Sequence, residues 1–147
     1  MELIIFGVYL FLATFNAGSM TTLQFQHYGI YPHVGRDNFR NYMIANNHSA
    51  LIPSVIPALA LLAVNVVLIF LRPDFMSGNE VIFSLGLNLI SLVSTFTWQR
   101  KLQTEMAKTG FSEGKISLLL STNWIRVLAF NAQAILAVSI VIAALIK

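Results

Sequence analysis

Long uncharged runs alternate with short polar connections along this chain. No Asp, Glu, Lys or Arg occurs in residues 3–35, 41–71, 81–99 or 127–146. A helix of roughly 20 apolar residues crosses the hydrocarbon core of a bilayer. The alternating segments of roughly ten residues that build membrane β-barrels are absent, and helices are the other element that satisfies its own backbone in lipid. The pattern therefore predicts four transmembrane helices.

Proline and glycine punctuate the connections between the runs. The four helices are predicted over residues 3–30, 37–71, 79–108 and 112–146. Because the connections are short, consecutive helices should be antiparallel. The predicted fold is an all-α, integral membrane, up-down-up-down four-helix bundle that forms a single domain.

Composition supports a bilayer environment. Of the 147 residues, 56% are hydrophobic and 10% are charged, which is too little charge to cover a soluble globule of this size. The chain has no cysteine. Disulfides, thiolate metal sites and thiol redox chemistry are therefore excluded.

The basic residues are distributed unevenly between the two ends of the predicted bundle. One end carries the first and third connections and holds seven of the nine Lys and Arg residues: Arg36, Arg40, Arg100, Lys101, Lys108, Lys115 and Arg126. We call it the basic end, and the opposite end the termini end. The positive-inside rule predicts that the basic end is cytoplasmic and that both termini are extracytoplasmic. This asymmetry accounts for the basic pI, so no nucleic-acid partner is expected.

Each predicted helix carries a polar stripe. The stripes are Asn16, Ser19, Gln26 and His27 on the first helix; Asn41, Ala45 and His48 on the second; Ser84, Asn88, Ser91, Thr95 and Gln99, flanked by Trp98, on the third; and Asn123, Arg126 and Gln133 on the fourth. Amides and imidazoles exposed to acyl chains cost kilocalories per group, so the stripes should face the bundle interior. They run from the basic end to about the midplane. The other half is nearly all apolar, with Asn65 as the main exception.

The stripes predict a shared site inside the basic half of the bundle. The catalytic candidates are His27, His48, Asn123 and Arg126. The ligand-binding candidates are Gln26, Tyr28, Trp98, Gln99 and, at the deep end of the cavity, Asn16, Asn88 and Gln133.

Two prolines favour a kink in the second helix. Pro53 and Pro57 lack an N–H and so free the carbonyls four residues earlier, at Ser49 and Pro53. We expect an unpaired acceptor near His48.

Simpler interpretations of these residues stay open. Polar side chains between membrane helices often serve only as interhelical hydrogen bonds. Trp98 and Trp124 suit an interfacial aromatic belt, and Arg126 could snorkel to the headgroups. His27 and His48 are too few ligands for a metal site, although they could hold a haem as axial ligands. No metal is predicted, and the cofactor stays open.

Two segments carry a resemblance to known membrane proteins. Residues 26–35 read Gln-His-Tyr-Gly-Ile-Tyr-Pro-His-Val-Gly and are followed by Phe39, Tyr42 and His48; the last helix contains Asn123-Trp124-Ile125-Arg126. This resembles a group of small bacterial four-span membrane proteins of unknown function. It is similar, more distantly, to the anthrone-oxygenase-like membrane family, which closes with an Asn-x-x-Arg helix. The resemblance implies a bacterial inner membrane and oxidation of an electron-rich aromatic or quinol by O₂.

Three classes of function follow. The first is a membrane protein that binds or oxidises a lipophilic aromatic or quinol-like molecule. The second is a non-catalytic accessory or assembly subunit of a larger membrane complex. The third is a small transporter, which would have to be a homo-oligomer because one four-helix bundle leaves little room for a central pathway.

Overall fold

The computed structural model describes residues 1–49 and 51–146, and over these residues every regular element is helical. The α-helices are α1 (Glu2–Thr22), α2 (Phe39–Ser49), α3 (Ile56–Phe70), α4 (Gly78–Ser94), α5 (Arg100–Thr109) and α6 (Glu113–Ile146). They are extended or joined by wider π turns at Leu23–His27, Leu51–Val55 and Thr95–Gln99 and by a 3₁₀ turn at Tyr28–His33.

These elements correspond to the four predicted helices. The first long helix is Glu2–His33, the third is Gly78–Thr109 and the fourth is α6. The second predicted helix is represented by α2 on one side of residue 50 and by the π turn and α3 on the other. We refer to these described parts together as the second long helix. Four segments of the described chain are long and apolar enough to cross a membrane. By length and composition, this is a multi-pass membrane protein.

The long helices pack in an up-down-up-down bundle. α1 packs against α3 and α6, α4 packs against the same two helices, and α2 packs against α5. Sequential helices are thus neighbours, as their short connections require. The predicted fold class is confirmed.

Local signals set where several helices begin and end. Ser77 Oγ accepts a hydrogen bond from the Glu80 backbone N–H, and a Glu80 carboxylate oxygen accepts one from the Ser77 N–H, which forms a capping box at α4. Ser112 Oγ accepts from the Lys115 N–H at the start of α6. Gly110 has φ +84°, a conformation that glycine adopts without strain, and it ends α5.

The buried apolar residues form two clusters, one towards each end of the bundle. The basic-end cluster consists of Tyr28, Tyr31, Phe39, Met43, Leu102, Met106, Ile116 and Leu119. The larger cluster extends to the termini end. Its members nearest the basic end, one on each long helix, are Met20, Ala58, Leu92 and Val127. Each long helix therefore has a short stretch between the two clusters whose residues are not buried members of either one.

The termini half contains more polar structure than predicted. Ser84 Oγ lies 3.0 Å from Tyr9 Oη, donates to Asn65 Oδ1 and accepts from Gln133 Nε2 at 2.7 Å. All four residues are buried and each comes from a different long helix. The expectation that Asn65 is the main polar exception there is therefore wrong, because the Tyr9 hydroxyl and the Gln133 amide are also present and bind Ser84, while Asn65 Nδ2 itself has no hydrogen-bond partner among the described residues.

Candidate functional site

A cavity of about 170 Å³ lies at the level between the two apolar clusters. All four long helices contribute to its wall, and three of them do so through their π turns. The lining residues are Leu23, His27, Tyr28, Asn46, Ser49, Pro53, Ser54, Val55, Thr95, Gln99, Arg100, Gln103 and Arg126. A π turn widens a helix locally and often occurs at functional sites. Here three such turns meet around one space.

Two prolines lie within and just after the π turn of the second long helix. Pro57 cannot donate to the Pro53 carbonyl, and that carbonyl instead accepts from Ser19 Oγ at 3.2 Å. The Pro57 carbonyl accepts from Asn16 Nδ2, also at 3.2 Å. The predicted free acceptor at Pro53 is therefore present, and the first long helix uses it.

Arg126 is the most unusual residue of the wall. Its side chain is only 4% exposed, Nη2 contacts the Sδ of Met20, and Nε has no hydrogen-bond partner. A thioether is a weak acceptor and carries no charge. Arg100 is a second cation on the same wall, and none of the described lining residues is acidic.

The acidic residues of the described chain lie elsewhere. The two ion pairs found there, Arg36–Glu113 at 2.9 Å and Lys115–Glu105 at 3.2 Å, involve partly or largely exposed side chains. Arg126 therefore has no carboxylate partner among the described residues, and the cavity has an uncompensated positive charge.

His27 is held on the cavity wall by a small hydrogen-bond network. Its Nε2 lies 2.6 Å from Asn46 Oδ1, and Asn46 Nδ2 donates to Tyr31 Oη at 2.8 Å. Tyr31 Oη is itself 3.4 Å from His27 Nε2. With Asn46 Oδ1 as the acceptor, the neutral tautomer that fits this contact has its hydrogen on Nε2 and its lone pair on Nδ1.

The two glutamines of the cavity wall are hydrogen-bonded within the protein. Gln103 Nε2 donates to Tyr28 Oη at 2.9 Å. Gln99 Oε1 accepts from Ser94 Oγ at 3.2 Å, and its Nε2 donates to Thr122 Oγ1 at 3.4 Å. These bonds hold the amide side chains in fixed positions.

The structure brings four of the predicted site residues together on the cavity wall. They are His27, Tyr28, Gln99 and Arg126. Asn123 is fully buried but stands beside the cavity, where its Nδ2 donates to Gln24 Oε1 at 2.8 Å.

The predicted deep end of the cavity is occupied by hydrogen-bonded side chains. Asn16 donates to Leu12 and Pro57 carbonyls, Asn88 donates to the Ala58 carbonyl, and Gln133 donates to Ser84. All three predicted residues are buried, as their stripes required. They do not line the cavity: their amide N–H groups donate to neighbouring helices, and their buried amide oxygens have no hydrogen-bond partner in the described part of the chain.

Three predicted site residues lie on the outside of the bundle. His48 and Gln26 are exposed, and Trp98 is 40% exposed. The second helix instead turns Met43 and Asn46 inward. The prediction that these residues face the bundle interior is wrong, because they lie near the basic end, where headgroups and water can satisfy a polar side chain on any face. Two axial histidines would have to face one haem, so the exposed His48 does not fit that arrangement.

Sequence reasoning missed four residues of the site region: Gln24, Asn46, Arg100 and Gln103. Gln103 continues the third-helix stripe four residues after Gln99, and Gln24 lies eight residues after Asn16. Both signals were therefore readable from periodicity. Periodicity did not single out Asn46, because apolar Met43 stands three residues before it and Asn41, Asn47 and His48 offer other polar positions nearby.

No group of three or more His, Cys, Asp or Glu side chains in the described part of the chain is placed to hold a metal ion. Comparison with known proteins found no matching family, no matching curated protein and no matching solved structure. The resemblance to anthrone-oxygenase-like proteins therefore stays a prediction.

Proposed function

We propose that the protein binds a single electron-rich aromatic ring with an acidic hydroxyl, and that it does so inside the membrane. The observation that carries this proposal is Arg126, a buried guanidinium on a cavity wall without a carboxylate partner. A phenol, a quinol or its anion would place an oxygen where this charge lacks a partner.

Desolvation makes an unpaired buried Arg126 costly. Removing an ion from water costs several kcal/mol, and residues of this type in membrane spans face partners or functional cavities. The thioether of Met20 does not offset that cost. A bound oxyanion would offset that cost, because the guanidinium fork would donate short charge-assisted hydrogen bonds to its oxygen.

The size of the cavity selects the reacting part of the ligand. An enclosed apolar cavity of about 150 Å³ holds one benzene ring, and this one measures about 170 Å³. The Tyr28 ring and the aliphatic side chains of Leu23 and Val55 supply surfaces for an aromatic face. The volume therefore matches a single aromatic ring.

His27 is suited to take the proton of the ligand hydroxyl. Asn46 holds Nε2, so Nδ1 is the ring atom that can accept. Transfer of the proton to His27 would leave a phenolate beside Arg126, the arrangement of a general base paired with an oxyanion stabiliser.

Oxidation is the further step that the family resemblance implies. The anion of a quinol loses electrons more readily than the neutral molecule. With O₂ as oxidant, the quinol gives up both hydroxyl hydrogens and two electrons, O₂ becomes hydrogen peroxide, and the quinol becomes a quinone. We assign the residues of this chain to binding and deprotonation.

A chromogenic phenol tests the proposal. The anion of 4-nitrophenol is coloured and its neutral form is not, so binding and ionisation are read together in purified protein in detergent. We expect bound probe to ionise at a lower pH than free probe. Arg126→Lys keeps the charge but loses the planar fork, and should weaken binding about tenfold.

Arg72→Lys is the matched control, because Arg72 is exposed and lies at the termini end. It should bind the probe as the wild type does. Equal affinity of the wild type and Arg126→Lys, with equal thermal stability, would leave Arg126 as a structural residue and refute the proposal.

A further inference from the structure

A groove on the outer face of the bundle adjoins the cavity. It runs between the first and second long helices and is lined by Thr14, Phe15, Gly18, Ser19, Thr22, Leu23 and Pro53. Leu23 and Pro53 also line the cavity. The two spaces are therefore separated by the thickness of these side chains.

The boundary between groove and cavity is thin for structural reasons. Leu23 is the first residue of one π turn and Pro53 lies inside another. At this level Ser19 Oγ donates a hydrogen bond to the Pro53 carbonyl, and about one turn deeper Asn16 Nδ2 donates to the Pro57 carbonyl. The Ser19 hydrogen bond and the Leu23 side chain are modest barriers to opening.

The groove is compatible with a hydrocarbon occupant. Thr14 and Ser19 donate their hydroxyl hydrogens to backbone carbonyls, so neither requires water. From Thr14 to Leu23 the groove extends roughly 14 Å along the helix, at about 1.5 Å per residue. Gly18, in the middle, leaves open space where a side chain would stand.

We propose that this groove is a lateral opening, through which the ring passes from the lipid into the cavity, and in which an aliphatic tail of the same molecule then lies. The inference rests on the proposed function and names its substrate class: a single-ring phenol or quinol with a hydrocarbon tail. The cavity volume matches the ring, with Arg126 on the wall to bind the hydroxyl. A long tail would extend beyond this space, and Leu23 and Pro53, which line both cavity and groove, mark where it can do so.

Filling the groove tests this. Gly18→Phe places a ring in the groove without meeting other atoms at its Cβ. Gly7→Phe is the matched control, since Gly7 is on the same helix, has equally open surroundings and is not part of the groove. Thr22→Phe, at another exposed groove position, is a second variant in case Gly18→Phe does not fold. The probes are 4-nitrophenol and 2-dodecyl-4-nitrophenol, each titrated into purified protein in detergent.

We expect the groove variants to weaken binding of the tailed probe about tenfold or more, because the tail and the new ring compete for one space. Binding of 4-nitrophenol should change less than about twofold, since the cavity is untouched. Equal binding of the tailed probe to wild type and groove variants, or loss of both probes together, overturns the lateral opening; the first result assigns the groove to ordinary lipid chains. Absence of binding of either probe to the wild type refutes the proposed function itself, so the two failures are distinguishable.

Discussion

His27, Asn46 and Arg126 show how single side chains define the site. Asn46 links the His27 imidazole to the Tyr31 hydroxyl, while Arg126 has no such partner. His27, Asn46 and Tyr31 form a closed hydrogen-bond network. Arg126 lies on the same cavity wall as His27 and has no carboxylate partner among the described residues. In the function that we propose, the positioned imidazole is the base and the unpaired guanidinium binds the anion, and both line the same cavity.

The Asn46 network makes a testable contribution to stability. Asn46→Ala removes the short hydrogen bonds to His27 Nε2 and Tyr31 Oη and leaves only their longer contact with each other. Weakening the hydrogen bonds of a buried polar group costs up to about 1–3 kcal/mol. We expect a lower thermal unfolding temperature in detergent for this variant. Asn41→Ala, on the exposed side of α2, is the control and should unfold as the wild type does. Equal unfolding temperatures for Asn46→Ala and Asn41→Ala would contradict the network's role.

At the scale of elements, the π turns separate the site from ordinary helix packing. Leu23–His27 and Thr95–Gln99 interrupt long helices that are regular α-helix on the termini side. α6 has no such interruption and supplies Arg126 from an unbroken helix. The cavity thus forms between three widened helices and one regular helix.

The proline-bearing helix can be tested directly. Pro57→Ala restores an N–H that competes with Ser19 for the Pro53 carbonyl, and it should favour a regular α-helix over the π turn at Leu51–Val55. We expect thermal stability to be kept or raised while 4-nitrophenol binding falls. Pro32→Ala, at an exposed proline outside the cavity, controls for the loss of a proline. Unchanged probe binding in Pro57→Ala would show that the turn is not needed for the site.

At the scale of the whole molecule, the charge distribution predicts the orientation. Seven of the nine basic residues lie at the basic end, and two of the seven, Arg100 and Arg126, are on the cavity wall. We therefore propose that the site is in the cytoplasmic half of the membrane and that a ligand reaches it from that leaflet.

Reporter fusions after Lys147 test this topology. An enzyme that is active only outside the cytoplasm should be active when fused there, and one active only in the cytoplasm should be inactive. A fusion at Asp37, in the connection at the basic end, should give the opposite pair of results. A cytoplasmic C-terminus would reverse the orientation and the leaflet assigned to the site.

The sequence by itself determined the fold class, the approximate extent of the helices and the inward position of the third- and fourth-helix stripes. Uncharged runs of membrane-spanning length permit few alternatives, and deep in the bundle a polar residue such as Asn88 or Gln133 can be satisfied only by another helix. Only the tertiary structure decided which polar residues share a cavity. Near the basic end, headgroups and water satisfy polar groups on every face, so periodicity could not separate the inward Asn46 from the exposed His48. The unpaired state of Arg126 is likewise tertiary, because it depends on which side chains of three other helices come within reach.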